Sequence, residues 1–241
     1  MPDNRHHRGM HPQDPLLFAE AWVPALREAV KDLSYLLGRG YAEKAAQKIV
    51  GDHYQLDVRQ RRAVLGASCP ATALARRSSH RLGAEALAGQ TICLDGYNVL
   101  IGAESALSGG ILVRGCDGAI RDLASVHGSY RKVEETSKAI ALIGRVLEKL
   151  GVAQAHWYFD APVSNSGRLK TFIEDAAAQA GWPWHVELAP NPDRVLAASD
   201  GVVATSDSWI LDRSERWVNL GALVVAEVKP APRILDLGDP A

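Results

Sequence analysis

From about Ala88 to the C-terminus, short uninterrupted apolar runs alternate with longer segments of helical spacing, and this alternation most constrains the fold. The runs at 91–95, 111–113, 155–160, 185–188, 201–205 and 223–228 read as strands. The segments 133–150, 167–180 and 193–199, with a short one after Asp207, read as helices. Strands separated by helices imply βαβ units and a mainly parallel sheet. Continuous rather than alternating apolar runs are expected where both faces of such a sheet are covered. The expectation is therefore an α/β domain over 89–241.

Upstream the pattern is different. Leu16, Leu17, Trp22, Val23, Leu26, Val30, Leu33, Leu36 and Leu37 recur at helical spacing, and Gly38-Arg39-Gly40 stops that helix. A second helix is expected from near Ala42 to Val50, a third after an Asp57 N-cap, and a fourth from Pro70 to about Ala88. Residues 16–88 thus form an all-α N-terminal domain. The first 15 residues lack the apolar stretch of a secretory signal and read as a disordered polar tail.

Hydrophobic residues make up 47% and charged residues 23% of the 241-residue chain, the balance of a globular protein rather than a disordered one. No apolar run is long enough to span a bilayer. Net charge is −1, so no global basic field announces a nucleic-acid partner, but the halves differ. Residues 1–88 carry 13 Lys and Arg against 9 Asp and Glu, and the remainder is acidic. Cys69, Cys93 and Cys116 form no CxxC pair, which argues against structural zinc and points to the cytoplasm.

Carboxylates stand where the strands end. Asp95 closes Thr91-Ile92-Cys93-Leu94, Asp160 closes Trp157-Tyr158-Phe159, and Asp207 follows Val202 to Ser206. Right-handed crossovers bring parallel strand tips to one edge, where open α/β sheets place their ligands. Asp193 precedes the helix that leads into the Asp207 strand. Converging carboxylates repel, so their pKa values rise or cations neutralise them. Oxygen-only ligands suit Mg²⁺ or Mn²⁺. Taken singly, Asp95 and Asp193 also fit plain helix or turn caps. Ser164 and Ser166, in the loop after Asp160, are placed to meet a phosphate at a helix start. The polar stretch containing Arg114, Asp117, Arg121, Asp122, His127 and Arg131 lacks apolar periodicity and reads as a functional loop.

Leu94-Asp95-Gly96-Tyr97-Asn98-Val99-Leu100 resembles the opening motif of PIN-like nucleases, especially the NYN branch, and Val202-Val203-Ala204-Thr205-Ser206-Asp207-Ser208 resembles their late strand motif. The whole chain, with Tyr35 to Tyr41, resembles an uncharacterised prokaryotic family that joins a helical domain to a PIN-like domain. The resemblance implies a PIN-like sheet and a Mg²⁺- or Mn²⁺-dependent ribonuclease. Asp95, Asp193 and Asp207 would be metal ligands and Asn98 would support the first acid. Asp160 would be an additional acid, and Asp117, Asp122 or Glu134 would fill a further acidic position on an unusually long insertion. Arg114, Arg121, Arg131, Arg168 and the N-terminal arginines would guide RNA, with Asn98, Ser164, Ser166 and Ser206 nearby. The alternative is a non-catalytic RNA-binding or adaptor protein on the same scaffold. A haloacid-dehalogenase-like phosphatase would need Asp-x-Asp at the first strand tip, and a dinucleotide enzyme GxGxxG after it; neither is present. Oligomeric state is left open, a homodimer included.

Overall fold

The computed structural model describes residues 7–124 and 130–238. His127 lies outside these residues. Five parallel strands form the main sheet: β1 (Thr91–Asp95), β4 (Gln154–Asp160), β5 (Trp184–Ala189), β6 (Val202–Ala204) and β7 (Trp217–Val218), in the order β5-β4-β1-β6-β7. Leu94 lies between Trp157 of β4 and Ala204 of β6. From β1 the chain builds outward through β4 to β5, then returns to β1's other side with β6. This reversal makes a topological switch point beside β1, the place where open α/β sheets form their ligand crevice.

Helices cover both faces. On one side α6 (Gly96–Leu107), α7 (Thr136–Lys149), α8 (Ser166–Ala180) and α11 (Leu220–Ala226) pack on Ile92, Leu94, Trp157, Phe159 and Val186. On the other, α9 (Pro192–Ala197) and α10 (Ser208–Leu211) cover Cys93, Val203 and Trp217. The protein is thus α/β, with a parallel sheet flanked by helices and a helical N-terminal region.

The helical region comprises α1 (Asp14–Leu17), α2 (Val23–Gly38), α3 (Glu43–His53), α4 (Val58–Ala67) and α5 (Ala71–His80). Asp57 caps α4 in a full capping box with Gln60, as the sequence pattern indicates. A second sheet, β2 (Leu112–Arg114) paired with β3 (Ile120–Asp122) and β8 (Ile234–Asp236), packs under this region. Its Val113 and Leu235 share one core with Leu26, Leu33 and Val64, so helical region and second sheet bury their apolar faces together.

Several expectations are corrected. The run at 223–228 is not a strand: its residues up to Ala226 belong to helix α11, which Asn219 caps by accepting from the Ala222 amide. Short apolar runs do not distinguish a buried helix from a buried strand by periodicity, and here the cap decides. The single helix expected from residue 16 is interrupted: α1 ends at Leu17, a short 3₁₀ turn (Glu20–Trp22) follows, and α2 restarts with Pro24 in its first turn. The fourth helix stops at His80, because Leu82 donates its amide to the Trp217 carbonyl of β7. Helix α6 begins directly at the tip of β1. A β-carbon at Gly96 would lie 2.5 Å from the Phe159 ring, so only glycine permits this close turn. Nor do residues 7–15 form a free tail. Arg8 is buried, donates to the buried Glu104 carboxylate at 2.9 Å and stacks over Tyr130.

Candidate active site at the sheet's carboxyl edge

The floor of the site is Asp95, partly buried at the tip of β1. Thr205, just past β6, donates its hydroxyl to Asp95 Oδ2 at 2.7 Å, and the Asn98 amide donates to Oδ1 at 3.4 Å. Among the described residues no cation pairs with this carboxylate. Burial pushes its pKa up to about 7; the charges of Asp207 and Asp193 push the same way, against the Thr205 and Asn98 hydrogen bonds.

Asp207 begins α10. Its Oδ1 accepts from the Trp209 and Ile210 amides, and its own amide donates to Thr205 Oγ1. Asp193 sits in the first turn of α9, whose N-cap is Asn191 rather than Asp193. Asp193 is exposed, yet local desolvation raises its carboxyl pKa, helped by the charges of Asp207 and Asp160. Asp160, at the tip of β4, is raised by burial. Asp95, Asp160, Asp193 and Asp207 are therefore electrostatically linked along one edge, as parallel topology requires. Among the described residues, however, no three His, Cys, Asp or Glu side chains stand as a ready cage for one ion.

A cleft of about 930 Å³ opens between this edge and the helical region. Asn98, Asp122, Asp160, Ser206 and Asp207 line it from the α/β side; Glu43, Arg62 and Arg77 line it from the helices. Tyr97 also lines it, and its buried hydroxyl has no hydrogen-bond partner among the described residues. Asp95 and Asp193 are not among the lining residues.

The other sequence-selected residues divide sharply. Asn98 supports Asp95 through its backbone amide, while its side-chain oxygen accepts from both the amide and the hydroxyl of Ser206, at 2.9 and 3.0 Å. Asp117 does not join the acids. It is buried with Arg77 at 2.6 Å and Arg121 at 2.7 and 2.9 Å, so both its oxygens are occupied. Burial alone would raise its pKa, but the two guanidiniums hold it at about 2. Of the three nominees for a further acid, Asp122 is the one that lines the cleft; it accepts from the Ala124 amide, and burial pushes its pKa to about 6. Glu134 is exposed, 3.8 Å from His7.

Arg121 is committed to Asp117 and to the Ser206 carbonyl, and Arg114 pairs with Asp236 on the second sheet, outside the cleft. Arg131 is exposed beside the N-terminal segment, its carbonyl accepting from Arg8, and Arg168 is exposed on α8. Ser164 is exposed and outside the cleft, whereas the buried Ser166 spends its hydroxyl on the Ala161 carbonyl.

From sequence Arg77 belongs to the N-terminal arginines expected to guide RNA, but it is buried against Asp117 and Asp212; Glu104 is not among the candidate residues. Arg77 is one arginine among several in a basic stretch, and nothing in its spacing signals burial. Glu104 carries a signal: it is the single charged residue of helix α6. It is fully buried, held by Arg8, Thr136 and the Tyr130 hydroxyl.

Comparison with known proteins adds two family matches. Residues 84–223 match the model described as domain of unknown function DUF5616, and residues 25–80 match protein of unknown function DUF434. An uncharacterized protein of Methanocaldococcus jannaschii is 33% identical over 189 residues, covering 78% of this chain and 89% of that protein. No solved structure gives a significant match.

Proposed function

The chain belongs to the DUF5616 family, and for it we propose metal-dependent hydrolysis of RNA phosphodiester bonds at the Asp95 edge. The observation that carries the reading is the treatment of Asp95: a carboxylate held in place by Thr205 and Asn98, pushed up by burial and by two neighbouring acids, with no cation among the described residues. A group left in that state is suited to receive a hard cation. The donor set is oxygen-only, as Mg²⁺ or Mn²⁺ prefer. Asp95, Asp193 and Asp207 would hold it, with Asp160 beside them. A bound divalent ion would supply charge neutralisation at the phosphoryl group and a more acidic water.

The protein's own residues would do the positioning. Thr205 fixes the Asp95 carboxylate, and Asn98 fixes the loop that carries Asp207. Five carboxylates line the cleft, Glu43, Asp122, Asp160, Asp207 and Asp212, whereas of its three arginines Arg77 and Arg121 are spent on the buried Asp117 and Arg62 alone is not paired with it. A polyanion enters such a cleft only once cations have reversed its charge. The resemblance of the Asp95 and Asp207 segments to PIN-like nucleases supplies the choice of RNA, and the three free cysteines are consistent with a cytoplasmic protein.

A second reading, a non-catalytic RNA-binding or adaptor protein, is favoured by one observation: the acids do not stand as a ready cage. One experiment separates the two. A labelled RNA is incubated with the purified protein in Mn²⁺, Mg²⁺ or excess chelator, beside Asp95→Asn. The nuclease reading expects cleavage that chelation abolishes. Several kcal/mol of lost metal stabilisation corresponds to a drop of about 10³-fold in Asp95→Asn. Equal cleavage by wild type and Asp95→Asn removes the assignment; RNA binding without cleavage selects the adaptor.

A further inference from the structure

We propose that Arg77, on helix α5 of the N-terminal region, is a positioning residue for the Asp207 loop, so that the helical region is a working part of the site. The proposal builds on the reading of the Asp95 edge as a metal centre.

The residues on either side of Asp207 are each held by a guanidinium. Arg121 Nε donates to the Ser206 carbonyl at 2.9 Å, and Arg77 Nη2 donates to the Ser208 carbonyl at 3.3 Å. Asp117 lies between the two arginines and ties them together, at 2.6 Å to Arg77 and 2.7 and 2.9 Å to Arg121. Arg77 also donates to Asp212, just past α10, at 2.7 Å. Its backbone is pinned as well, since the buried Trp217 indole donates to the Arg77 carbonyl at 2.7 Å. The Arg77 side chain is 2% exposed, so these contacts form away from solvent screening.

The chain of contacts reaches the floor acid. Asn98 Oδ1 accepts from the amide and hydroxyl of Ser206, and Thr205 bonds both Asp95 and the Asp207 amide. Helix α10 is only four residues long and spends Asp207 Oδ1 on its own cap, so it fixes the loop weakly by itself. A guanidinium suits the task because its planar fork reaches Asp117, Asp212 and Ser208 at once. A lysine offers one point charge and meets fewer of them. Residues that orient metal ligands in this way typically change metal affinity about 10–100-fold when removed.

The test uses the full-length protein with Arg77→Met, Arg77→Lys, and the charge-balanced pair Arg77→Met with Asp117→Asn in case the single change does not fold. Two measurements are made: Mn²⁺ affinity by calorimetry, and amide hydrogen exchange. Arg77→Met and the pair are expected to bind Mn²⁺ about 10–100-fold more weakly, with Arg77→Lys intermediate. Exchange is expected to quicken at 206–209 while β1 and β4 stay protected. Unchanged exchange at 206–209, or an equal rise throughout the chain, overturns the proposal. Should wild type bind no Mn²⁺, the metal reading falls, and the exchange pattern alone decides whether Arg77 positions the loop.

Discussion

Asp117 and Asp95 are two carboxylates of the same α/β half, each withdrawn from water, and the fold treats them in opposite ways. Asp117 is saturated: two guanidiniums and the Ala119 amide take its oxygens, and its pKa is held at about 2. Asp95 has a hydroxyl, an amide and two acidic neighbours, and its pKa is pushed to about 7. An acid whose task is to hold parts of the protein together is paired within the protein. An acid left with its charge unmatched imposes a cost that only something outside the chain relieves. The contrast separates a structural carboxylate from a candidate ligand more sharply than the strand-tip position does, since Asp117 lies only a few residues from acids of the same sequence character.

The largest effect is expected on the saturated side. Asp117→Ala leaves Arg77 and Arg121 without their shared carboxylate, and breaking a buried pair from one side costs about 3–5 kcal/mol. Urea unfolding of the variant is expected to show that loss. A change below about 1 kcal/mol, the range of an exposed pair, would mean that Asp117 is not the buried anchor described here.

The two acids also predict opposite pH slopes. The folded pKa of Asp117 lies below its ordinary 3.8, so its contribution is present above that value and is lost as pH falls through about 2. The folded pKa of Asp95 lies above 3.8, so its contribution is present below that value and is lost as pH rises through about 7. Metal-free protein should therefore lose stability between about pH 4 and 7 through Asp95. Asp95→Asn should recover on the order of 1–3 kcal/mol at pH 8, a pKa shift of this kind being discounted for partial exposure. Thermal melts of both proteins in chelator across that range provide the check. Identical slopes would show that Asp95 is already neutralised within the chain, and the contrast with Asp117 would disappear.

Much of this architecture is legible in the sequence because the sheet is doubly covered. Continuous apolar strands announce themselves, and the 91–95 expectation coincides with β1. The edge that gathers Asp95, Asp160, Asp193 and Asp207 follows from parallel topology alone. What stayed hidden depends on partners distant in sequence. Asp117 and Asp122 look alike in the chain; only tertiary placement gives one two arginines and leaves the other lining the cleft. Helix α11 and the expected strand at 223–228 share the same valine-rich letters, and its cap, Asn219, lies upstream of the apolar run. The docking of Arg8 against Glu104 spans 96 residues, beyond any local pattern.

The smallest effect tests whether the comparison extends to the basic residues. Arg114 was expected to guide RNA, yet it sits on the second sheet beside Asp236, its register partner, with Nη1 2.9 Å from the carboxylate. Both side chains are nearly half exposed, at 46% and 43%. Such a pair contributes about 0–1 kcal/mol, because solvent screens the attraction and two long side chains lose freedom to hold it. Arg114→Ala is therefore expected to shift urea unfolding by no more than that and to leave Mn²⁺ affinity and RNA cleavage unchanged, since Arg114 does not line the cleft. A severalfold loss of cleavage with unaltered stability would restore Arg114 as a guide and would place the RNA path across the second sheet. An unchanged rate leaves Arg114 outside any RNA path that the proposed activity uses.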